Sequence, residues 1–377
     1  MARTLKSDRM LFWSTLLLVG VSLIMVYSAS AVQAANDNKP PYYFLTRQAI
    51  WAAIGLALLL GAMRVDYRSF RQPILIWGLL AVTTLALVAT FFFGLKNGTQ
   101  RWIFIGQLSA QPSELAKFVA VLFAAALLER RMHRVNEVNY ALLPIMIVAI
   151  GFASLIILEP DFGTAAMLVI VVSIVVFAAG LSYRHVITAA AILIPTAIAL
   201  IFTAGYRAQR LLAFFDSSSD PTGANFQMNQ SLIAVGSGGV FGKGLMAGVQ
   251  KVYYIPESHN DFIYSVIGEE LGLAGSTVVL LCFVVIAWRG YRASLLAPDR
   301  FGSLLALGLT SMVAVQALVN MSVILGLLPT KGIPLPFVSN GGSSLVVNML
   351  AMGILLNISQ QASPAAAAAA DVELAHG

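Results

Sequence analysis

Ten stretches of about twenty mostly apolar residues follow one another along this chain, and a helix needs that length to cross the hydrocarbon core of a bilayer. They run over about 11–31, 47–63, 72–93, 111–129, 142–159, 161–180, 185–203, 263–288, 302–328 and 341–358. Composition points the same way: 59% of the 377 residues are hydrophobic and 11% are charged, against roughly a quarter charged in a soluble domain. A soluble core of this size needs neither so much apolar side chain nor so little surface charge. The sequence therefore predicts an all-α, polytopic integral membrane protein and excludes disordered, fibrous, coiled-coil and disulfide-scaffold classes. Its one cysteine, Cys282, sits in an apolar run and can form neither an intrachain disulfide nor a cysteine metal site. The net charge of +6 belongs to loops and calls for no nucleic acid partner.

Basic residues sort those loops into two sets. Arg3, Lys6 and Arg9 precede the first stretch, and Arg64, Arg68, Arg71, Arg130, Arg131, Arg134, Arg184, Arg289, Arg292 and Arg300 fill alternate loops. The short loops of opposite parity carry only Lys39, Arg47, Lys96, Arg101 and Lys331. Both termini are therefore expected in the cytoplasm. Residues 1–10 form a short tail, 11–360 the membrane domain, and 361–377, with six consecutive alanines, a disordered tail. Ala29-Ser30-Ala31 mimics a signal-peptidase site, but the apolar run is longer than a signal core and reads as an uncleaved helix. Residues 204–262, with four basic and four acidic residues, form a large outer loop too long for a mere connector.

With that topology, the polar residues awkward for a membrane gather at the outer ends of spans. They are Arg47-Gln48, Gln111-Pro112-Ser113-Glu114 with Lys117, Glu159-Pro160-Asp161, Glu257-Ser258-His259-Asn260-Asp261, and Lys331 with Ser339. Ionisable groups at membrane depth are costly and tend to mark sites. Each also has a bland reading. Pro112, Ser113 and Glu114 make an ordinary helix start, and Glu114 and Lys117 are spaced to neutralise one another. Glu159-Pro160-Asp161 fits a solvated turn, and Asp261 fits a helix-start acid. Gly236-Ser237-Gly238-Gly239 with Gly242 and Gly244 lacks the strand and spacing of a phosphate loop; it reads as a flexible loop or re-entrant turn.

Six strings, in order, are more specific. They are Arg101-Trp102-Ile103; Gln111-Pro112-Ser113-Glu114-Leu115-Ala116-Lys117; Glu159-Pro160-Asp161-Phe162-Gly163-Thr164; Gln230-Ser231-Leu232 with Gly236-Ser237-Gly238-Gly239; Pro256-Glu257-Ser258-His259-Asn260-Asp261-Phe262-Ile263; and Gly332-Ile333-Pro334-Leu335-Pro336-Phe337. Over about residues 10–360 the chain resembles the SEDS family (shape, elongation, division, sporulation) of bacterial cell-wall polymerases. Leu327-Leu328-Pro329-Thr330-Lys331-Gly332 is similar to the division (FtsW-like) rather than the elongation (RodA-like) branch, and Asn340 stands where the family usually has Tyr. The resemblance implies a peptidoglycan glycosyltransferase that polymerises lipid II at the outer face of the bacterial cytoplasmic (inner) membrane during division. It implies a class B penicillin-binding protein and other divisome membrane proteins as partners. It also implies Asp261 as the essential acid, and a substrate-binding set of Arg47, Glu114, Lys117, Asp161, Gln227, Gln230, Lys331 and Ser343.

The implied chemistry asks for such groups. Joining sugars from an α-linked lipid pyrophosphate into a β-linked glycan inverts the anomeric carbon, so a single displacement suffices. It needs a base for the acceptor hydroxyl, for which Asp261 at the mouth of an apolar cavity is the candidate. Arg47 and Lys117 are candidates to hold the pyrophosphate. A divalent cation (Mg or Mn) is the one cofactor to consider, with Glu114 and Asp161 either binding it or orienting the lysine. Two other readings use the same residues. A lipid II flippase should place ionisable groups through the whole membrane depth. A division scaffold gives no reason for Glu114, Lys117 and Asp161 at the membrane edge. Clustering at one face favours the enzyme.

Overall fold

The computed structural model describes residues 8–93, 100–105, 108–203, 205–215, 226–254 and 259–362. Most of both expected tails, Lys96, and Pro256-Glu257-Ser258 lie outside the described residues. The helices are α1 (Arg9–Asn36), α2 (Tyr43–Ala62), α3 (Pro73–Thr90), α4 (Pro112–Arg131), α5 (Leu143–Leu158), α6 (Phe162–Ala178), α7 (Tyr183–Phe202), α8 (Gly205–Phe215), α9 (Phe226–Ser237), α10 (Gln250–Tyr253), α11 (Ile263–Leu296), α12 (Arg300–Ile324) and α13 (Gly342–Gln360). A small antiparallel hairpin, β1 (Ile103–Ile105) and β2 (Leu108–Ala110), pairs Ile103 with Ala110 between α3 and α4. Asp8, Asp161 and Asp299 cap α1, α6 and α12 by accepting the N–H three residues on. Pro73 and Pro112 open α3 and α4, where a missing N–H costs nothing.

Ten of these helices fall on the ten apolar stretches, and among the described residues eight candidate spans are long and apolar enough to cross a membrane. The other two have physical reasons. The helix α6 has 17 residues. The helix α4 carries Glu114 and Lys117 but packs against α3, α5, α6, α12 and α13, so both charges meet protein instead of lipid. By contrast, none of the residues of α7 is buried. A helix apolar on all sides belongs in hydrocarbon.

Helix ends sort by parity as expected. At one end Asp8 pairs with Arg289 at 2.6 Å, Arg68 with Asp299 at 2.7 Å and Arg71 with Glu129 at 2.6 Å. These bonds tie the start of α1, the α2–α3 turn, the end of α4 and the α11–α12 turn into the basic face that the sequence assigns to the cytoplasm.

Within the segment 204–262, the described residues fold onto the bundle. The helix α9 packs along α11 and α12, burying Met228, Ser231 and Ala234. The glycine-rich stretch that follows runs beside a break in α11 at Gly272, where φ is 67°. The N–H groups of Lys243 and Gly244 donate to the carbonyls of Glu269 and Glu270, each at 3.0 Å. Beyond the break, Leu273 and Ala274 donate to the carbonyls of Gly239 and Val240 at 2.9 and 3.0 Å. A helix broken at membrane depth survives only where protein replaces its lost bonds. Glycine is required by contact: a Cβ on Gly238 would lie 2.0 Å from the Gly268 carbonyl oxygen, and one on Gly242 2.1 Å from that of Glu270. The stretch is thus a turn held against α11 by backbone bonds.

Candidate functional site

Two polar clusters lie at the end opposite the basic face. The first is enclosed. Pro112 starts α4 so that Glu114 and Lys117 fall one turn apart, facing α12 and α13. Lys117 Nζ lies 2.8 Å from Glu114 and donates to Gln316 Oε1 at 2.5 Å. Ser344 donates to Glu114 at 2.9 Å, and Gln316 donates onward to the Pro334 carbonyl at 2.9 Å. Glu114 and Lys117 are 2% and 3% exposed. Two of the three Lys117 donors are thus taken inside the protein. Its geometry is that of a strut tying α4 to α12 and, through Gln316, to the loop before α13.

The second cluster is cationic. Asp161 accepts the N–H of Thr164 at 3.2 Å, its hydroxyl at 2.8 Å and the Gln111 amide at 3.1 Å, with the Arg101 guanidinium at 3.8 Å. Arg101 also donates to the carbonyls of Glu159 and Pro160 at 3.1 and 2.5 Å, pinning the α5–α6 turn. Lys331 Nζ stands 4.1 Å above the Phe162 ring, and the Arg207 guanidinium 5.6 Å from the same ring centre. Burial first, then Arg207, Arg101 and Arg210, push the Lys331 ammonium down to about 7 against the pull of Asp161. Positive charge is in excess here.

Asp261 closes on this cluster through Gly332, the residue after Lys331. A Cβ on Gly332 would stand 2.4 Å from Asp261 Oδ2, so only glycine admits that approach. Asn320 donates to the carbonyls of Asp261 and Ile333 at 2.8 and 2.7 Å, holding both strands of the junction. The N-cap position of α11 is Phe262, and Asp261 is the residue before it. His259 packs on Phe44 with ring centres 4.6 Å apart, and its carbonyl accepts the Asn340 N–H at 3.0 Å. That bond uses the backbone of Asn340, which a Tyr would supply equally.

The remaining expected residues are more scattered. Arg47 lies at the rim, donating to Ser109 Oγ at 3.3 Å and Tyr43 Oη at 3.5 Å. Ser343 Oγ accepts the Gln111 N–H at 2.9 Å, linking α13 to the start of α4. Gln227 and Gln230 are half-buried on α9 and enter none of the hydrogen bonds described here. Sequence reasoning missed Gln316 and Asn320, although two amides four apart on one face of an apolar span are a usable signal.

Among the described residues, no three His, Cys, Asp or Glu side chains gather as a metal ion would require. Glu114 and Asp161 spend their oxygens on an ammonium, hydroxyls, an amide and a guanidinium. A divalent cation between them would have to displace those partners, so this donor set does not fit a resident cation.

Fold and site define a polytopic membrane protein whose reactive groups sit at one end of its helices. Residues 8–364 match the model of the cell cycle protein family of FtsW, RodA and SpoVE, and the chain belongs to that family. It is 41% identical over 352 residues to the probable peptidoglycan glycosyltransferase FtsW of Geobacter sulfurreducens, covering 91% of this chain and 94% of that one. It is 38% identical over 354 residues to stage V sporulation protein E of Bacillus subtilis, covering 94% and 97%. Among solved structures it matches a chain from a peptidoglycan synthase complex that coordinates polymerization and crosslinking, with TM-score 0.76, 30% identity and 94% and 98% coverage. It also matches the rod shape determining protein RodA of Thermus thermophilus, with TM-score 0.69, 27% identity and 94% and 97% coverage. The SEDS resemblance read from the motifs is thereby established, with FtsW-named relatives at the head.

Proposed function

We propose that this chain is a peptidoglycan glycosyltransferase that polymerises lipid II at the outer face of the cytoplasmic membrane, with Asp261 as general base. The observation that carries the reading is Asp261 Oδ2 set against Gly332, the residue that follows Lys331 of the cation cluster. A base next to a cation cluster is what displacement of a lipid diphosphate asks for. The acceptor hydroxyl gives its proton to Asp261 as its oxygen bonds to the anomeric carbon. The bond from that carbon to the diphosphate oxygen breaks, its electron pair leaves with the diphosphate, and the anomeric centre inverts. Lys331, Arg101, Arg207 and Arg210 stabilise the departing charge, with Arg47 at the rim. An arriving diphosphate favours the charged form of Lys331, so binding restores the proton that burial disfavours.

The positive-inside pattern supports the outward orientation and cytoplasmic termini. The likeness to a chain of a peptidoglycan synthase complex supports a class B penicillin-binding protein as partner. Purified protein given lipid II, with and without its cognate transpeptidase, should make glycan strands, more of them with the partner present. No glycan under either condition would overturn the reading.

A further inference from the structure

Two glutamates in α11 take no part in the chemistry above. Glu269 and Glu270 are both 0% exposed, and at about 1.5 Å per residue they lie about 12–14 Å along the chain's helical path from Asp261. Their carboxylates grip the turn that lies against the break in α11. Glu269 accepts the N–H groups of Val249 at 2.9 Å and Gln250 at 3.2 Å, and the Lys243 ammonium at 2.9 Å. Glu270 accepts the Met246 N–H at 3.1 Å, the Ser28 hydroxyl at 2.6 Å and the buried Lys251 ammonium. Lys251 also donates to Ser28 at 2.8 Å, which brings α1 into the knot. A Cβ on Gly248 would lie 3.0 Å from an oxygen of each glutamate, so the backbone is closed down onto both.

Burying two carboxylates is costly, and apolar side chains in such places stabilise as well or better. Stability is therefore a poor reason for this pair. What the pair supplies is register. Lys251 stands in the knot, ten residues before Asp261, and the carbonyls of His259 and Asp261 accept from Asn340 and Asn320. We propose that Glu269 and Glu270 are positioning residues for Asp261: by clamping residues 243–251 against α11 and α1, they hold in register the chain that leads to the base. This rests on Asp261 being the base.

The test uses the full chain in detergent or nanodiscs, with Glu270→Gln and Ser28→Ala as variants. Backbone hydrogen exchange over 243–251 and the steady-state constants for lipid II are measured together. In Glu270→Gln, exchange over 243–251 should rise about tenfold while that of α4 and α12 stays put. Because misplacing a catalytic group by about 1 Å can cost about a hundredfold, kcat should fall about tenfold or more with KM nearly unchanged. Ser28→Ala keeps both charges and should move the same two readouts less, and Lys251→Arg should keep both close to wild type. Unchanged exchange would overturn the proposal, as would raised exchange with wild-type kcat or a loss confined to KM. If Glu270→Gln does not fold, Ser28→Ala decides by the same criteria. If the wild type itself makes no glycan, the reading of the site fails, while exchange still shows whether the glutamates hold the turn.

Discussion

Truncating Lys117 to alanine should unfold the bundle more readily, not merely slow it. The lysine is 3% exposed and lies 2.8 Å from a carboxylate that is itself 2% exposed. Removing it leaves Glu114 with the Ser344 hydroxyl alone and strips Gln316 Oε1 of its donor at 2.5 Å. Breaking a buried pair from one side typically costs about 3–5 kcal/mol, a large share of the roughly 5–15 kcal/mol that holds a domain folded. Unfolding of the purified protein in rising SDS, followed by tryptophan fluorescence, would read the loss as an earlier midpoint. The double variant Glu114→Gln/Lys117→Met leaves no buried charge and should recover most of the stability. Its polymerisation per folded molecule should stay within about tenfold of wild type, because Lys117 is a strut here. Wild-type stability of Lys117→Ala would refute the closed pair. A well-folded double variant that makes no glycan would show that Lys117 touches the substrate.

Three further outcomes follow from the geometry. Lys331 titrates near 7 because burial and neighbouring arginines lower it from 10.5, so its charge is present below that pH and is lost as pH rises through it. KM for lipid II should therefore climb above neutrality, and Lys331→Met should flatten that limb; a wild-type KM independent of pH would count against the diphosphate role. Gly272→Ala forces a side chain onto a φ of 67° and a Cβ to within 2.3 Å of the Gly242 nitrogen. It should lower the melting temperature markedly, since with ψ at −164° this backbone lies in a region only glycine adopts readily, at a cost of about 1–3 kcal/mol for other residues, and an unchanged melt would mean that the break in α11 is absent. A reporter active only in the cytoplasm should signal when fused after Arg134 or Arg292 and stay silent within 217–222; the reverse would overturn the sidedness of the site.

Most of the bundle was legible because apolar length is a local property. The stretch 185–203 needs nothing from the rest of the chain to be read as a span, and α7 indeed has no buried residue. The start of α4 was legible for the same reason, since Pro112 and Glu114 mark it within three residues. The site itself depends on pairs far apart in sequence. Nothing local in Asp261 says that it meets Gly332, or in Lys117 that Gln316 takes its proton donor. The glycine-rich turn was legible only as glycines without a period, because the bonds that hold it in place join it to residues of α11 far away in sequence. Glu269 and Glu270 stood in view as acids in an apolar run, but their partners lie at Lys243, Lys251 and Ser28, in segments that read as loop and membrane anchor.

Asp261→Asn tests the central claim most directly. Asn matches Asp in size and serves a helix start as well as Asp does. Purified Asp261→Asn should therefore fold, melt and bind lipid II as the wild type does. Its polymerisation rate should fall by about 10²–10⁴, the usual cost of losing a general base. Glycan made at close to the wild-type rate would contradict the account.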